Sequence, residues 1–155
     1  CNDKLEKIQS RTPLQLRFLQ DTLPLENAAS LPKAGLIICS SMFEYIPDKK
    51  KMTECFRSLL GDGGVLLLSV PNRDSAYRSM EKFSFSLSGK PAYLKHVHHM
   101  FKANELEKEM NAYGFRLLEQ VYFATHYSFS GLLKKLMPSR KYSNLLLAAF
   151  QKTAT

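Results

Sequence analysis

Two short runs of apolar residues are the strongest constraint on how this chain of 155 residues can fold. Residues 35–40 and 65–70 are almost continuously apolar, the pattern of strands covered on both faces in a parallel sheet. Residues 48–60 lie between them and repeat apolar side chains at helical spacing. A strand, a helix and a second strand form a βαβ unit with a right-handed crossover. The sequence therefore predicts an α/β fold.

The helix between these strands has a predicted start, a predicted buried face and a predicted end. Asp48 is expected to be its N-cap, because a carboxylate there accepts a hydrogen bond from the first turn. The segment Gly61–Gly64 is expected to stop the helix and turn the chain. Three lysines are expected to face water: Lys49, Lys50 and Lys51. The apolar stripe consists of Met52, Cys55, Phe56, Leu59 and Leu60.

Periodicity predicts the remaining elements on either side of this unit. Helices are expected at 2–11, 105–113 and 129–137, and strands at 14–20, 115–124 and 144–151. Residues 22–34 are expected to form a loop with a turn of helix. Residues 73–100 are long, mixed and aromatic, and loops of this kind are often lids or binding elements. We therefore expect a single domain over 1–155, with 73–100 as an acceptor-side lid.

Three motifs then indicate a family. Residues 36–48, which read LIICSSMFEYIPD, resemble the fourth-strand motif of class I S-adenosylmethionine (SAM)-dependent methyltransferases. Residues 56–72 look like the helix, glycine turn and fifth strand of that family, and residues 100–115 look like its next helix and turn. The three motifs occur in the family's order at its separations. The resemblance implies a doubly wound Rossmann-like sheet of order 3-2-1-4-5-7-6 with the last strand antiparallel, and SAM as methyl donor.

One departure from the family pattern concerns glycine. The family opens with a strand and a turn of the form acid-x-Gly-x-Gly-x-Gly, and a second acid ends its next strand. The seven glycines here are Gly35, Gly61, Gly63, Gly64, Gly89, Gly114 and Gly131, and none precedes the third-strand match at 14–20. The first residue is Cys1 rather than Met. We therefore expect the C-terminal two-thirds of such a domain, without strands 1 and 2, with a bare edge at 35–40 and unable to bind SAM alone.

The resemblance implies SAM contacts at two strand ends. Asp21 matches the family's adenine-binding acid and Thr22 follows it, although a turn-forming aspartate is an equal alternative. Cys39, Ser40 and Ser41 end the fourth-strand match, beside the crevice where doubly wound sheets bind ligands. For the thiol of Cys39, simple core packing is the alternative.

The acceptor pocket is expected on the lid side of the same crevice. Its predicted residues are Glu44, Tyr45, Tyr93 and His99. Tyr45 stands where the family commonly has histidine, and a phenol is a poor base at neutral pH. His96 or His98 is the candidate base, with exposed imidazoles as the alternative. No metal site is expected, because no Asp, Glu or Cys completes a ligand set near these histidines.

The net charge and the cysteines of the chain indicate which binding partners and which cellular compartment to expect. The net charge is +8, and no acid follows Glu119. Nucleic acid is not an expected partner, since the basic residues lack the interleaved aromatics that stack on bases. A basic amphipathic helix at 129–137 leaves a membrane surface or a lipid-like substrate as an alternative to packing on the sheet. Cys39 and Cys55 are expected to be reduced thiols in a cytoplasmic protein. The oligomeric state is not indicated.

The predicted function is SAM-dependent methyl transfer to a small-molecule acceptor in a biosynthetic pathway. The alternative from another class is a non-catalytic binding or scaffold module that keeps the second half of the fold.

Overall fold

The structure is a computed structural model that describes residues 22–125 and 138–154. The predicted helix at 2–11, the predicted strand at 14–20 and Asp21 lie outside the described residues. The predicted basic helix at 129–137 lies outside them as well.

The described residues form one four-stranded sheet with helices on it. The strands are β1 (Ala34–Ser40), β2 (Leu60–Pro71), β3 (Phe115–Thr125) and β4 (Ser143–Lys152). The α-helices are α1 (Lys49–Leu59), α2 (Ala76–Ser88), α3 (Ala103–Ala112) and α4 (Ser139–Tyr142). Short 3-10 helices cover Ala28–Ser30, Phe43–Tyr45 and Ala92–His96. The predicted α/β class is confirmed.

The strand order is β1-β2-β4-β3. β1 runs parallel to β2, while β4 runs antiparallel to both of its neighbours. This is the 4-5-7-6 part of the expected sheet order, including the antiparallel last strand. The carboxyl ends of β1, β2 and β3 therefore meet at one edge of the sheet.

Helix α1 confirms the predicted cap and stripe. Asp48 Oδ1 accepts a hydrogen bond from the Lys51 amide at 3.0 Å, and Met52 and Phe56 are buried against the sheet. One lysine differs from the prediction. Lys49 reaches across to the Glu109 carboxylate of α3 at 2.5 Å instead of facing water alone. The first turn of α1 is thereby tied to α3.

The glycine segment after α1 differs from the predicted turn. The helix ends at Leu59 and β2 begins at the next residue, so Leu60 pairs with Ala34 and Val65 pairs with Leu36. The additional residues of β2 form a bulge, for which Gly63 adopts a φ of +73°. A bulge takes up the chain length that a separate turn would otherwise need.

The core lies between the central strands and two helices. Alternate residues of β2 and β4 are buried, and α1 and α3 cover them. These core residues are Leu66, Leu68, Val70, Leu146, Ala148, Phe150, Met52, Phe56, Leu106 and Met110. β1 differs, since among the described residues it pairs with β2 alone and its Leu36 and Ile38 are 55% and 65% exposed. This agrees with the bare edge expected at 35–40.

Residues 73–100 are mainly helical rather than a long loop. Helix α2 and the 3-10 helix Ala92–His96 occupy most of the segment. Three large apolar side chains of α2 lie at helical spacing and point outward. Met80 is 62% exposed, Phe83 66% and Leu87 73%. The loop prediction was wrong because the apolar residues Met80, Phe83 and Leu87 repeat at helical spacing, which is the pattern of a helix. No helix in the described ranges is long and apolar enough to cross a membrane.

Candidate active site

The carboxyl end of β1 is held by the neighbouring strand. The Ser41 amide donates to Ser69 Oγ at 2.9 Å, and Ser40 Oγ lies 3.3 Å from the same hydroxyl. Ser41 adopts a φ of +48°, which is uncommon for a residue with a side chain and turns the chain sharply after the strand. Ser40 and Ser41 are exposed. The predicted crevice residues therefore lie open to a ligand at the edge of the sheet.

Cys39 is buried just below this edge. Burial, with a smaller contribution from the nearby Glu44 carboxylate, raises the pKa of its thiol to about 11, although a hydrogen bond from the Phe43 backbone opposes this. The protonated thiol has little nucleophilic character at neutral pH. Core packing therefore accounts for this side chain, and a SAM contact through its backbone stays a prediction.

The next two predicted residues, Glu44 and Tyr45, lie on the 3-10 helix Phe43–Tyr45 and differ in their burial. Tyr45 is exposed, whereas Glu44 is only 3% exposed. Within the described part of the chain, Glu44 Oε2 has no hydrogen-bond partner. Burial raises the pKa of the Glu44 carboxyl, although the positive charge of Arg78 opposes this. The backbone carbonyl of Glu44 accepts hydrogen bonds from the amides of His98 and His99 at 2.8 and 3.3 Å.

The buried carboxyl predicts a pH-dependent stability. Because the folded-state pKa of Glu44 is raised, its ionisation opposes folding, and stability is lost as the pH rises through that pKa. Glu44→Gln removes the ionisation. We expect the free energy of unfolding of the variant, relative to wild type, to increase in urea titrations as the pH rises above about 4, the ordinary pKa of a glutamate. Glu54→Gln, on the exposed face of α1, is the matched control. A difference between wild type and Glu44→Gln that stays constant with pH would contradict this assignment.

A polar cluster joins α2 to the segment that follows it. The Arg78 guanidinium donates to Glu81 Oε2 at 2.7 Å and to the Tyr93 hydroxyl, which itself donates to Glu81 Oε1 at 2.8 Å. Burial and the bond to Glu81 raise the pKa of Tyr93 to about 12. Tyr93 therefore stays protonated at neutral pH and holds α2 in place, and it is a poor candidate for a base.

The predicted histidines lie in different surroundings. His96 is exposed at the end of its 3-10 helix. His98 and His99 line a cavity of 590 Å³ between α2, α3 and the loop that joins them. His99 is half-buried, with Nε2 3.2 Å from the Pro47 carbonyl oxygen. Within residues 22–125 and 138–154, no group of three or more His, Cys, Asp or Glu is placed to hold a metal ion.

Only part of the predicted site is brought together. His98 and His99 share the cavity, and the Glu44 backbone supports them, but the side chains of Glu44, Tyr45 and Tyr93 do not line it. Thr22 is exposed and lines a second cavity of 860 Å³ that adjoins the start of α1 and does not include Ser40. The assignments of Thr22, Cys39, Ser40 and Ser41 to SAM stay predictions.

Sequence reasoning missed two basic residues of α2 at this site. Arg78 supports Tyr93, and Lys82 lines the cavity. Both belong to the stretch that was predicted to be a loop. Their helical spacing, four residues apart, is the signal that could have placed them on one helix face.

Comparison with known proteins identifies the family. The family model described as a methyltransferase domain matches residues 4–120 of the chain. No curated protein sequence matches the chain.

Solved structures share the fold. The chain resembles magnesium protoporphyrin IX methyltransferase from Synechocystis PCC 6803, solved with bound SAH, with a TM-score of 0.64 and 15% identity over 98% of this chain and 57% of that one. It also resembles a SAM-dependent methyltransferase from Archaeoglobus fulgidus, with a TM-score of 0.59 and 15% identity over 82% of this chain and 64% of that one. The chain thus spans less than two-thirds of either relative. The family match over most of the chain, together with the shared fold, shows that the chain belongs to the class I SAM-dependent methyltransferases.

Proposed function

We propose that this chain supplies the acceptor side of a SAM-dependent methyltransferase that modifies a small molecule in a biosynthetic pathway. The observation that carries the proposal is the open carboxyl edge of β1, where Ser40 and Ser41 precede the Glu44 segment that contacts the cavity wall. Ligands of doubly wound sheets bind at such an edge. When bound, SAM supplies a methyl group on a sulfonium, which is already activated for transfer.

The residues at this edge fit one flank of the cofactor. Ser40 offers an exposed hydroxyl, and the turn at Ser41 ends the strand without covering it. The amide of Ser41 is already bonded to Ser69, whereas the exposed Ser40 hydroxyl, 3.3 Å from the Ser69 hydroxyl, can still form a further hydrogen bond. The sequence has no glycine-rich turn between a strand and a helix. We therefore propose that the 155-residue chain binds the cofactor weakly by itself.

The remaining contribution of the chain is to position the acceptor. Holding an acceptor in line with a bound methyl donor supplies much of the rate of such a transfer. A base is needed only where the acceptor must lose a proton. His98 is the better placed of the two candidate bases, because it lines the cavity whereas His96 does not.

The cofactor flank can be tested by nuclear magnetic resonance, which detects weak binding. We expect titration of the ¹⁵N-labelled chain with S-adenosylhomocysteine, up to about 5 mM, to shift the amide signals of Ser40, Ser41 and Glu44. Ser40→Phe should abolish these shifts by filling the crevice. Asn111→Phe is the control, since it adds the same side chain at an exposed position near the end of α3.

The same titration decides between two classes of function. Shifts that are absent, or confined to residues away from β1, would contradict the proposal and favour a non-catalytic binding or scaffold module. A cytoplasmic location and contact of 129–137 with a membrane or lipid-like substrate stay predictions.

A further inference from the structure

We propose that the cavity between α2 and α3 binds a small anionic molecule with an apolar, ring-sized body, such as an aromatic carboxylate or phosphate ester. This rests on the proposed function in that the molecule would be the methyl acceptor. The cavity has a volume of 590 Å³, which is within the range of small-molecule sites.

One wall of the cavity is apolar. Its side chains come from α2, from the 3-10 helix after it and from the loop before α3, and they are Phe85, Leu94, Val97, Met100 and Phe101. Phe101 is buried and stacks on Phe43, with ring centroids 6.0 Å apart, so this wall is anchored in the core. An apolar body placed against it would lose water contact without losing hydrogen bonds.

The charged side chains that line the cavity include more basic residues than acidic ones. Its two acids are already engaged, Glu109 by Lys49 at 2.5 Å and Glu105 by Arg73. Lys82 also lines the cavity, and among the described residues it has no ion-pair partner. The surplus charge at the cavity is therefore positive. An anionic group would be attracted to it, whereas a cationic ligand would meet Lys82 with no free carboxylate to offset the repulsion.

The position of the cavity connects it to the reaction. The amides of His98 and His99 bond to the Glu44 carbonyl, and Glu44 lies on the segment that leaves the carboxyl end of β1. The wall of the cavity and the edge of the sheet are thus parts of one hydrogen-bonded structure. A molecule in the cavity would lie beside the edge where we propose that the methyl donor binds.

The inference is tested by calorimetric titration of the chain, without SAM, using three probes that share one apolar body. The anions are 2-naphthoate and 2-naphthyl phosphate, and the cation is 2-naphthylmethylammonium. We expect both anions to bind about tenfold more tightly than the cation at low salt, because a single partly screened charge contact is worth about that factor. Lys82→Gln should remove most of this preference. Lys50→Gln, an exposed lysine on α1 outside the cavity, should leave it unchanged.

Each outcome bears on one claim. No binding of the anions, equal binding of the anions and the cation, or equal effects of Lys82→Gln and Lys50→Gln would overturn the inference. Thermal unfolding of both variants checks that the fold is kept. Selective anion binding together with no S-adenosylhomocysteine shifts at Ser40 would leave the anion site standing and remove the proposed function. The reverse result would remove only the anion site.

Discussion

Replacing Phe43 with alanine is expected to lower the free energy of unfolding by about 3–5 kcal/mol, the usual cost of deleting a buried aromatic side chain. Phe43 is completely buried and lies between the rings of Phe56 and Phe101, with centroid separations of 6.1 and 6.0 Å. It therefore joins α1, the loop after β1 and the cavity wall. The cavity left by the substitution cannot close without moving one of these elements. Urea unfolding followed by circular dichroism measures the loss.

Phe83→Ala is the matched control for this prediction. Phe83 is equally large but lies on the outer face of α2. Its removal should change the free energy of unfolding by less than about 0.5 kcal/mol, as is usual at exposed positions. If the two variants lose similar stability, Phe43 does not hold the core together in the way that its contacts indicate.

Replacing Asn72 with aspartate is expected to lower the free energy of unfolding by about 3–5 kcal/mol at neutral pH, as an unpaired buried charge does. Asn72 is completely buried where β2 ends. Its Nδ2 donates to the Arg140 carbonyl at 2.7 Å and to the Ser143 carbonyl at 2.8 Å, while its Oδ1 accepts from the Asp74 amide at 3.0 Å. An aspartate keeps the shape of the side chain, yet it directs a carboxylate oxygen at two carbonyl oxygens.

The pH dependence of the Asn72→Asp variant separates charge from packing. Below about pH 4 the carboxyl is protonated and can donate one hydrogen bond again, so part of the lost stability should return. Asn111→Asp, at an exposed position of α3, should change the free energy of unfolding by less than about 0.5 kcal/mol. A loss at Asn72→Asp that is the same at acid and neutral pH would refute the hydrogen-bond assignment.

Both predictions concern the connections between the sheet and the segments above its carboxyl edge. Phe43 holds the loop after β1, and Asn72 holds the end of β2 against the start of β4. The candidate site lies on these segments. Its geometry is therefore maintained by buried contacts that take no part in chemistry.

Local sequence was sufficient for the elements that face the core on regular spacing. The strands β1 and β2 were predicted because continuous apolar runs are typical of strands in a parallel sheet, and α1 was predicted because its capped apolar stripe repeats at helical spacing. The matched motifs likewise placed the chain in its family, and the 4-5-7-6 strand order confirmed the expected sheet. The motifs and the element patterns depend on residues that are close together in the chain, whereas the strand order was expected from the family resemblance.

Two features needed the folded chain. The orientation of α2 is one of them, because Met80, Phe83 and Leu87 repeat at the helical spacing typical of a core-facing stripe, yet all three face outward. The charge balance of the cavity was not predictable either, since Lys49 and Glu109 are 60 positions apart and only their contact shows that the acid is engaged. The sequence alone determined the elements β1, β2 and α1, because apolar runs and helical stripes are local patterns. Tertiary structure decides which charged side chains at the cavity remain without an ion-pair partner, because the pairs there, Lys49–Glu109 and Arg73–Glu105, join residues that are far apart in the chain.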